Sequence, residues 1–254
     1  MEIKTLKDRI QNSYLGDKNI SSIVKKFIYG KVIESNEHNV KEEYSIKYNK
    51  RHGEYKLWYD NGVLAIQCTY NYGKEEGEYK KWFDNGNLDQ ECFYKDGQRE
   101  GEYKVWFKSG QMKELCFYKD GKKEGEYKKW FECGVLVTEH NFKDGKMEGE
   151  CKYFWPNGTL WNICYYKDGQ QEGESKIWYS SGQLQRICYY KNGKLEGECK
   201  AWHKNGVLNQ ECTFKDGGYY GDCKSWNEEG IMNSHYVHEN HLTYKIIYSD
   251  RNIS

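Results

Sequence analysis

The stretch Tyr118-Lys119-Asp120-Gly121-Lys122-Lys123-Glu124-Gly125-Glu126-Tyr127-Lys128-Lys129-Trp130-Phe131 decides the fold, because the chain repeats it. Its second glycine belongs to the series Gly53, Gly77, Gly101, Gly125, Gly149, Gly173, Gly197 and Gly221, spaced 24 residues apart. A second series, Gly62, Gly86, Gly110, Gly134, Gly158, Gly182, Gly206 and Gly230, keeps the same interval. Between the two run Trp58, Trp82, Trp106, Trp130, Trp178, Trp202 and Trp226, with Phe154 filling the one gap. A fixed period of this length means a tandem array of small supersecondary units.

Each unit reads as a β-hairpin. In the first, Glu54 to Tyr59 forms a strand, Asp60-Asn61-Gly62 a turn, and Val63 to Tyr70 the return strand. Asn or Asp followed by glycine suits a three-residue loop whose glycine takes the left-handed conformation. Such a loop pairs Tyr59 with Val63, Trp58 with Leu64 and Glu54 with Cys68. The linker Asn71 to Glu76 reverses the chain again, as Asp96-Gly97 and Asp144-Gly145 do later. Side chains alternate across a strand. One face is therefore expected to carry Glu54, Lys56, Trp58, Leu64, Cys68 and Tyr70, which recur and form the packing stripe. The other carries Tyr55, Leu57, Tyr59, Ala65, Gln67 and Thr69, which vary between units. A single unit buries too little to fold alone, so stability comes from stacking on both neighbours. The expectation is an all-β, elongated tandem array of antiparallel hairpins. Residues 53–241 hold eight repeats, 29–52 a degenerate one, and 242–254 a closing strand. Residues 1–28 form a cap, with helix-like apolar spacing over Leu6 to Ile10 and Ile20 to Ile28.

The motif Tyr-Lys-Asp-Gly-Lys-x-Glu-Gly-Glu-x-Lys-x-Trp resembles the MORN-repeat variant, over about residues 44–241. Similar repeats occur in bacterial antitoxin-like proteins and in giant-virus repeat proteins. The resemblance implies an extended run of antiparallel hairpins serving protein–protein or membrane-lipid association. It implies no catalytic residues and no cofactor.

Composition narrows the partners. The 254 residues include 17% aromatics and 26 glycines but one proline, and 39 basic groups balance 39 acidic ones. Nucleic-acid binders show a basic excess, so no nucleic-acid partner is expected. The opening residues lack a signal-like apolar run and no stretch is apolar enough to span a bilayer. A cytoplasmic protein is the expectation.

The chemistry-bearing side chains point away from catalysis. Cys68, Cys92, Cys116, Cys164, Cys188 and Cys212 share one repeat position, with His140 in the gap. Such positions lie two strands, about 9.6 Å, apart, beyond disulfide or metal reach. Cys151, Cys199 and Cys223 fall at the Tyr55 position, expected on the opposite face. The cysteines therefore read as buried thiols, with no disulfide. His235, His238 and His241 cannot all face one ion from a strand. The Glu–Lys pairs recur in every unit and read as a charge ladder, because catalysis needs one preorganised pocket. What remains is a binding scaffold for an unknown protein partner, with Tyr59, Phe83, Phe107, Phe131, Trp155 and Tyr179 as the candidate binding face. Peripheral membrane association is the alternative, with antitoxin-like neutralisation of a partner protein as the third.

Overall fold

The computed structural model describes residues 24–28, 31–35, 41–48, 50–239 and 244–249. The regular elements among these are all β-strands. The chain divides into two compact units, residues 1–99 and 100–254. The first holds β1 (Val24–Ile28), β2 (Lys31–Ser35), β3 (Lys41–Lys47), β4 (Lys50–Trp58), β5 (Leu64–Asn71), β6 (Lys74–Trp82) and β7 (Leu88–Lys95). Strand β8 (Gln98–Trp106) carries the division. The second continues with β9 (Met112–Lys119), β10 (Lys122–Trp130), β11 (Leu136–Lys143), β12 (Lys146–Phe154), β13 (Leu160–Lys167), β14 (Gln170–Gln171) and β15 (Gly173–Trp178). It ends with β16 (Leu184–Lys191), β17 (Lys194–Leu195), β18 (Gly197–Trp202), β19 (Leu208–Lys215), β20 (Gly218–Trp226), β21 (Met232–His238) and β22 (Tyr244–Ser249). Within each unit the strands pair antiparallel in chain order, except that β14 and β15 both pair with β13, and β17 and β18 both with β16.

Two turn types alternate. In the three-residue loop, the Tyr59 N–H donates to the Val63 carbonyl at 2.9 Å and the Gly62 N–H to the Tyr59 carbonyl at 3.0 Å. Gly62 has φ +82°, the left-handed region that a side chain would strain. The return turn is tighter: Asp96 and Gly97 both have positive φ, 52° and 81°, as a type I′ hairpin turn needs. The preceding repeat satisfies both of its amides. The Asp96 N–H donates to the Glu76 carboxylate at 2.9 Å, and the Gly97 N–H to the Glu75 carbonyl at 2.9 Å. In the second unit Glu124 and Lys123 do the same for Asp144 and Gly145, at 2.8 and 2.9 Å. This explains the Glu-Gly pair of the motif. Gly77, with φ +82°, lies where the ladder skips between the pairs Tyr70↔Glu75 and Cys68↔Tyr79. Gly101 and Gly125 adopt the same conformation on β8 and β10.

The hairpin register corrects one expectation with wide consequences. Trp58 does face Leu64, and Tyr59 bonds Val63, but Glu54 faces Thr69, and Cys68 faces Tyr55. A β-bulge is responsible: Leu57 pairs with Ile66 while Trp58 pairs with Leu64, leaving Ala65 as the extra residue. The bulge recurs at Lys129/Trp130 and Ser225/Trp226. One inserted residue moves everything beyond it to the other side of the sheet. Tyr55, Cys68 and Tyr70 therefore share one face, while Glu54, Lys56, Trp58, Leu64, Gln67 and Thr69 share the other.

At the N-terminal end, Val24–Ile28 is not helical but a strand, paired with Lys31–Ser35. Strand pairing satisfies the backbone edge of β2, which a helix would leave open. Leu6 to Ile10 lie outside the described residues.

Candidate binding surface and the buried row

On the tyrosine–cysteine face, cross-strand partners line up into a row that runs perpendicular to the strands. In the first unit it reads Tyr44, Tyr55, Cys68, Tyr79, Cys92. In the second, Tyr103, Cys116, Tyr127 and His140 follow one another, and further on Cys199, Cys212, Cys223 and Tyr236. Cys151 pairs with Cys164, and Ser175 with Cys188. This row is the core: Cys68, Cys116, Cys151 and Cys212 are 3% exposed or less. Tyrosine rings roof the small thiols. Tyr55 and Tyr70 meet edge-on at 5.7 Å, as do Tyr103 and Tyr118 at 5.6 Å. Burial pushes the Cys68 thiol up to about 11 and the Tyr70 phenol up to about 12. His140 replaces a cysteine here and stacks on Tyr127 at 4.5 Å. Burial, helped by Lys123, pulls its pKa down to about 4, so its ring is neutral at pH 7.

The bulge also overturns the disulfide expectation. Cys188 and Cys212 are two strands apart, but Cys199 shares their face and stands between them. The structure joins Cys188 to Cys199, with α-carbons 4.2 Å apart, and Cys212 to Cys223 at 4.1 Å. Cys151 and Cys164 remain thiols. The Cys151 S–H points to the Gly149 carbonyl at 3.9 Å, and the neighbouring Cys151 thiol holds Cys164 below the ordinary thiol range.

The opposite face is polar with apolar islands. Lys128 bonds Glu126 at 2.5 Å, and Lys152 reaches Glu150 at 2.5 Å and Glu139 at 3.8 Å. Trp58, Trp82, Trp106 and Trp130 are half-buried on this face, and the Lys41 ammonium lies 4.5 Å over the Trp58 ring. Next to the charges run two variable columns. One passes through Leu115, Glu139, Ile163, Ile187 and Glu211, the other through Phe117, Asn141, Tyr165, Tyr189 and Thr213. Tyr165 and Tyr189 are 41% and 44% exposed, tethered by their hydroxyls to Glu150 and Glu174. In the first unit Phe93 occupies the equivalent repeat position, 44% exposed.

The six aromatics expected to form the binding face are half-buried. Three of them bridge repeats. The Tyr59 hydroxyl donates to the Trp82 carbonyl at 2.7 Å, the Trp155 indole to Trp178 at 3.0 Å, and the Tyr179 hydroxyl to Trp202 at 2.8 Å. Phe83, Phe107 and Phe131 hold the corresponding loop position, their amides closing the three-residue loops.

Among the described residues, no group of three or more His, Cys, Asp or Glu side chains could hold a metal ion. His235 bonds Asp222 at 2.5 Å, whereas His238 stacks on Tyr219 at 5.0 Å on the other face. His241 lies outside the described residues. A shallow cavity of about 320 Å³ opens beside His238, lined also by Tyr219, Tyr236, Ser225 and Ser234. No helix of the described residues is long and apolar enough to cross a membrane.

Seven stretches, residues 51–72, 75–96, 99–120, 123–144, 147–168, 171–192 and 195–216, match the family model described as MORN repeat variant. They cover more than half of the chain. No curated protein matches it.

Proposed function

The chain belongs to the MORN repeat variant family, a non-enzymatic repeat family, and from that premise we propose that it is a non-catalytic scaffold that binds a partner protein. The partner docks on the Glu–Lys face, centred on the second unit. The observation that carries this reading is the pair Tyr165 and Tyr189, two large apolar side chains 41% and 44% exposed at equivalent positions of successive repeats. Ile163 and Ile187 stand beside them, with Lys152, Lys176 and Lys200 around. Tyrosine over an aliphatic floor, rimmed by charge, is the composition of interface hot spots. Constant Glu and Lys alternate here with columns that change from repeat to repeat. The half-buried Tyr59 column is a weaker candidate, since several of its polar atoms already serve inter-repeat bonds.

The test is affinity capture and cross-linking with the full chain, wild type and Tyr165→Thr/Tyr189→Thr. Threonine is the residue that the array itself uses at Thr69 and Thr213. Loss of the captured protein with an unchanged circular-dichroism spectrum supports the surface; undiminished capture refutes it. A Phe107→Glu variant reports on the other face. Flotation with phosphatidylserine vesicles, unaffected by either substitution, would replace the protein partner with a lipid surface.

A further inference from the structure

We propose that Cys188 and Cys199, together with Arg186, form a redox-modification site that exchanges with low-molecular-weight disulfides of the glutathione class and thereby staples one repeat to the next. This inference is independent of where a partner docks. It starts from the geometry of the cysteine row. Opposed residues in antiparallel strands alternate between narrow, non-hydrogen-bonded pairs, about 4.5 Å between α-carbons, and wide pairs at about 5.5 Å. The Cys188–Cys199 and Cys212–Cys223 separations of 4.2 and 4.1 Å mark both as narrow pairs. A residue that is narrow towards one neighbour is wide towards the other, so Cys199 faces Cys212 across a wide pair. Cys151 and Cys164 belong to that wide class as well, since both pairs span the hairpin's three-residue loop.

Narrow pairs bring two sulfurs together, but only one of them has a cation. The Arg186 Nε donates to the Cys188 sulfur at 3.1 Å and to the Cys199 sulfur at 3.4 Å. At the equivalent place beside the second pair stands a neutral amide, Gln210, 3.9 Å from the Cys223 sulfur. When the first pair is reduced, the guanidinium favours a thiolate, the reactive form. Access favours Cys199, which is 7% exposed against 2% for Cys188. Its column neighbour Ala201, opposite Arg186, is small.

The chemistry balances. The Cys199 thiolate attacks one sulfur of the disulfide RSSR, forming a mixed disulfide and releasing RS⁻. The Cys188 thiol passes its proton to RS⁻ or to water and attacks the Cys199 sulfur, expelling the second RS⁻. Two protein thiols are oxidised and one RSSR is reduced to two RSH. The cross-link joins β16 to β18, across the return turn, so it ties adjacent repeats.

The test uses the full chain carrying Cys133→Ser, which removes the exposed loop thiol. The reduced protein receives stoichiometric glutathione disulfide, is alkylated at intervals, and is mapped by peptide mass. The expected sequence is a mixed disulfide at Cys199, then the Cys188–Cys199 cross-link, ahead of Cys212–Cys223. Arg186→Gln, which copies Gln210, slows that step on the order of tenfold and leaves the Cys212–Cys223 rate unchanged. The cross-link also slows proteolytic opening of the repeats it joins, on the order of 100-fold. Four results would each overturn the proposal: an unchanged rate in the arginine variant, Cys212–Cys223 forming first, Cys199 reacting no faster than Cys68, or no gain in protease resistance. Cys199→Ser keeps the test sound, because Ser175 shows that the row accepts serine.

Discussion

The buried positions of the repeat are filled in two ways. In the first unit Tyr55, Cys68, Tyr79 and Cys92 alternate, and in the second so do Tyr103, Cys116 and Tyr127, so each thiol packs against aromatic rings. From Cys151 to Cys223 the tyrosine position holds Cys151, Ser175, Cys199 and Cys223 instead, and sulfur faces sulfur or a hydroxyl. Both regions use the same bulge, loops and return turns. One region fills its narrow pairs with aromatic area, which depends on nothing outside the chain. The other fills two of them with cysteine pairs that can be covalently joined, so its stability depends on the redox state of its surroundings.

The sharpest way to break this comparison is to remove one row member from each region. Tyr55 is 8% exposed, packed on Tyr70 and under the Arg51 guanidinium at 4.7 Å. Tyr55→Ala should cost about 3–5 kcal/mol, equally with and without reductant, as read by hydrogen exchange of β4 and β5. Cys199→Ala should cost a comparable amount only under oxidising conditions, and about 1 kcal/mol in reductant. Equal costs in both conditions would erase the distinction.

Ser175→Cys sharpens it next. Ser175 faces Cys164 at the position where Cys223 faces Cys212, a narrow pair. The new thiol should cross-link to Cys164, leaving Cys151 a thiol, and add about 2–3 kcal/mol. Peptide mapping checks the partner: a Cys151–Cys164 bond would instead mean that the wide pairs close too.

Much of this was legible in the sequence, and the part that was not has a definite cause. The 24-residue period, both glycine turns and the Trp58–Leu64 pair follow from residue types that only one conformation suits. The bulge has no such marker. The extra residue is Ala65, then Asp89, Lys113, Val137 and Trp161 in later units, with nothing in common. Missing it by one residue placed Cys68 opposite Glu54 and separated cysteines that are neighbours. A signal did exist: only the shifted register puts Tyr55, Cys68 and Tyr70 on one side. The Tyr59 column carries contacts that strand alternation does not reveal. Tyr59 and Tyr179 look like surface aromatics by alternation alone, and their bonds to Trp82 and Trp202 span 23 residues.

His140 stands between the two regions and should give the chain an acid response. Its folded pKa, about 4, lies below the ordinary value of 6.5. Between those values the unfolded chain binds the proton and the folded one does not. The contribution is therefore complete above pH 6.5 and lost as the pH falls towards 4, roughly 3 kcal/mol in all. His140→Phe keeps a ring against Tyr127 and removes the titration, so exchange rates of β10 and β11 amides should lose this pH dependence.

The smallest expected effect is a control that treats both regions alike. In each unit a Glu–Lys ladder lies on the face opposite the row, with equivalent partners at Lys80, which reaches Glu78 and Glu91 both at 3.2 Å, and at Lys152, which reaches Glu150 at 2.5 Å and Glu139 at 3.8 Å. These are surface pairs, and each side chain must be ordered to make them. Lys80→Ala and Lys152→Ala should each cost about 0.5 kcal/mol at low salt, and less at high salt. Neither should respond to reductant, because the sheet separates the ladder from the sulfurs. A redox-dependent cost at Lys152 alone would mean that cross-linking reshapes the sheet itself, and the two faces could then no longer be treated as independent.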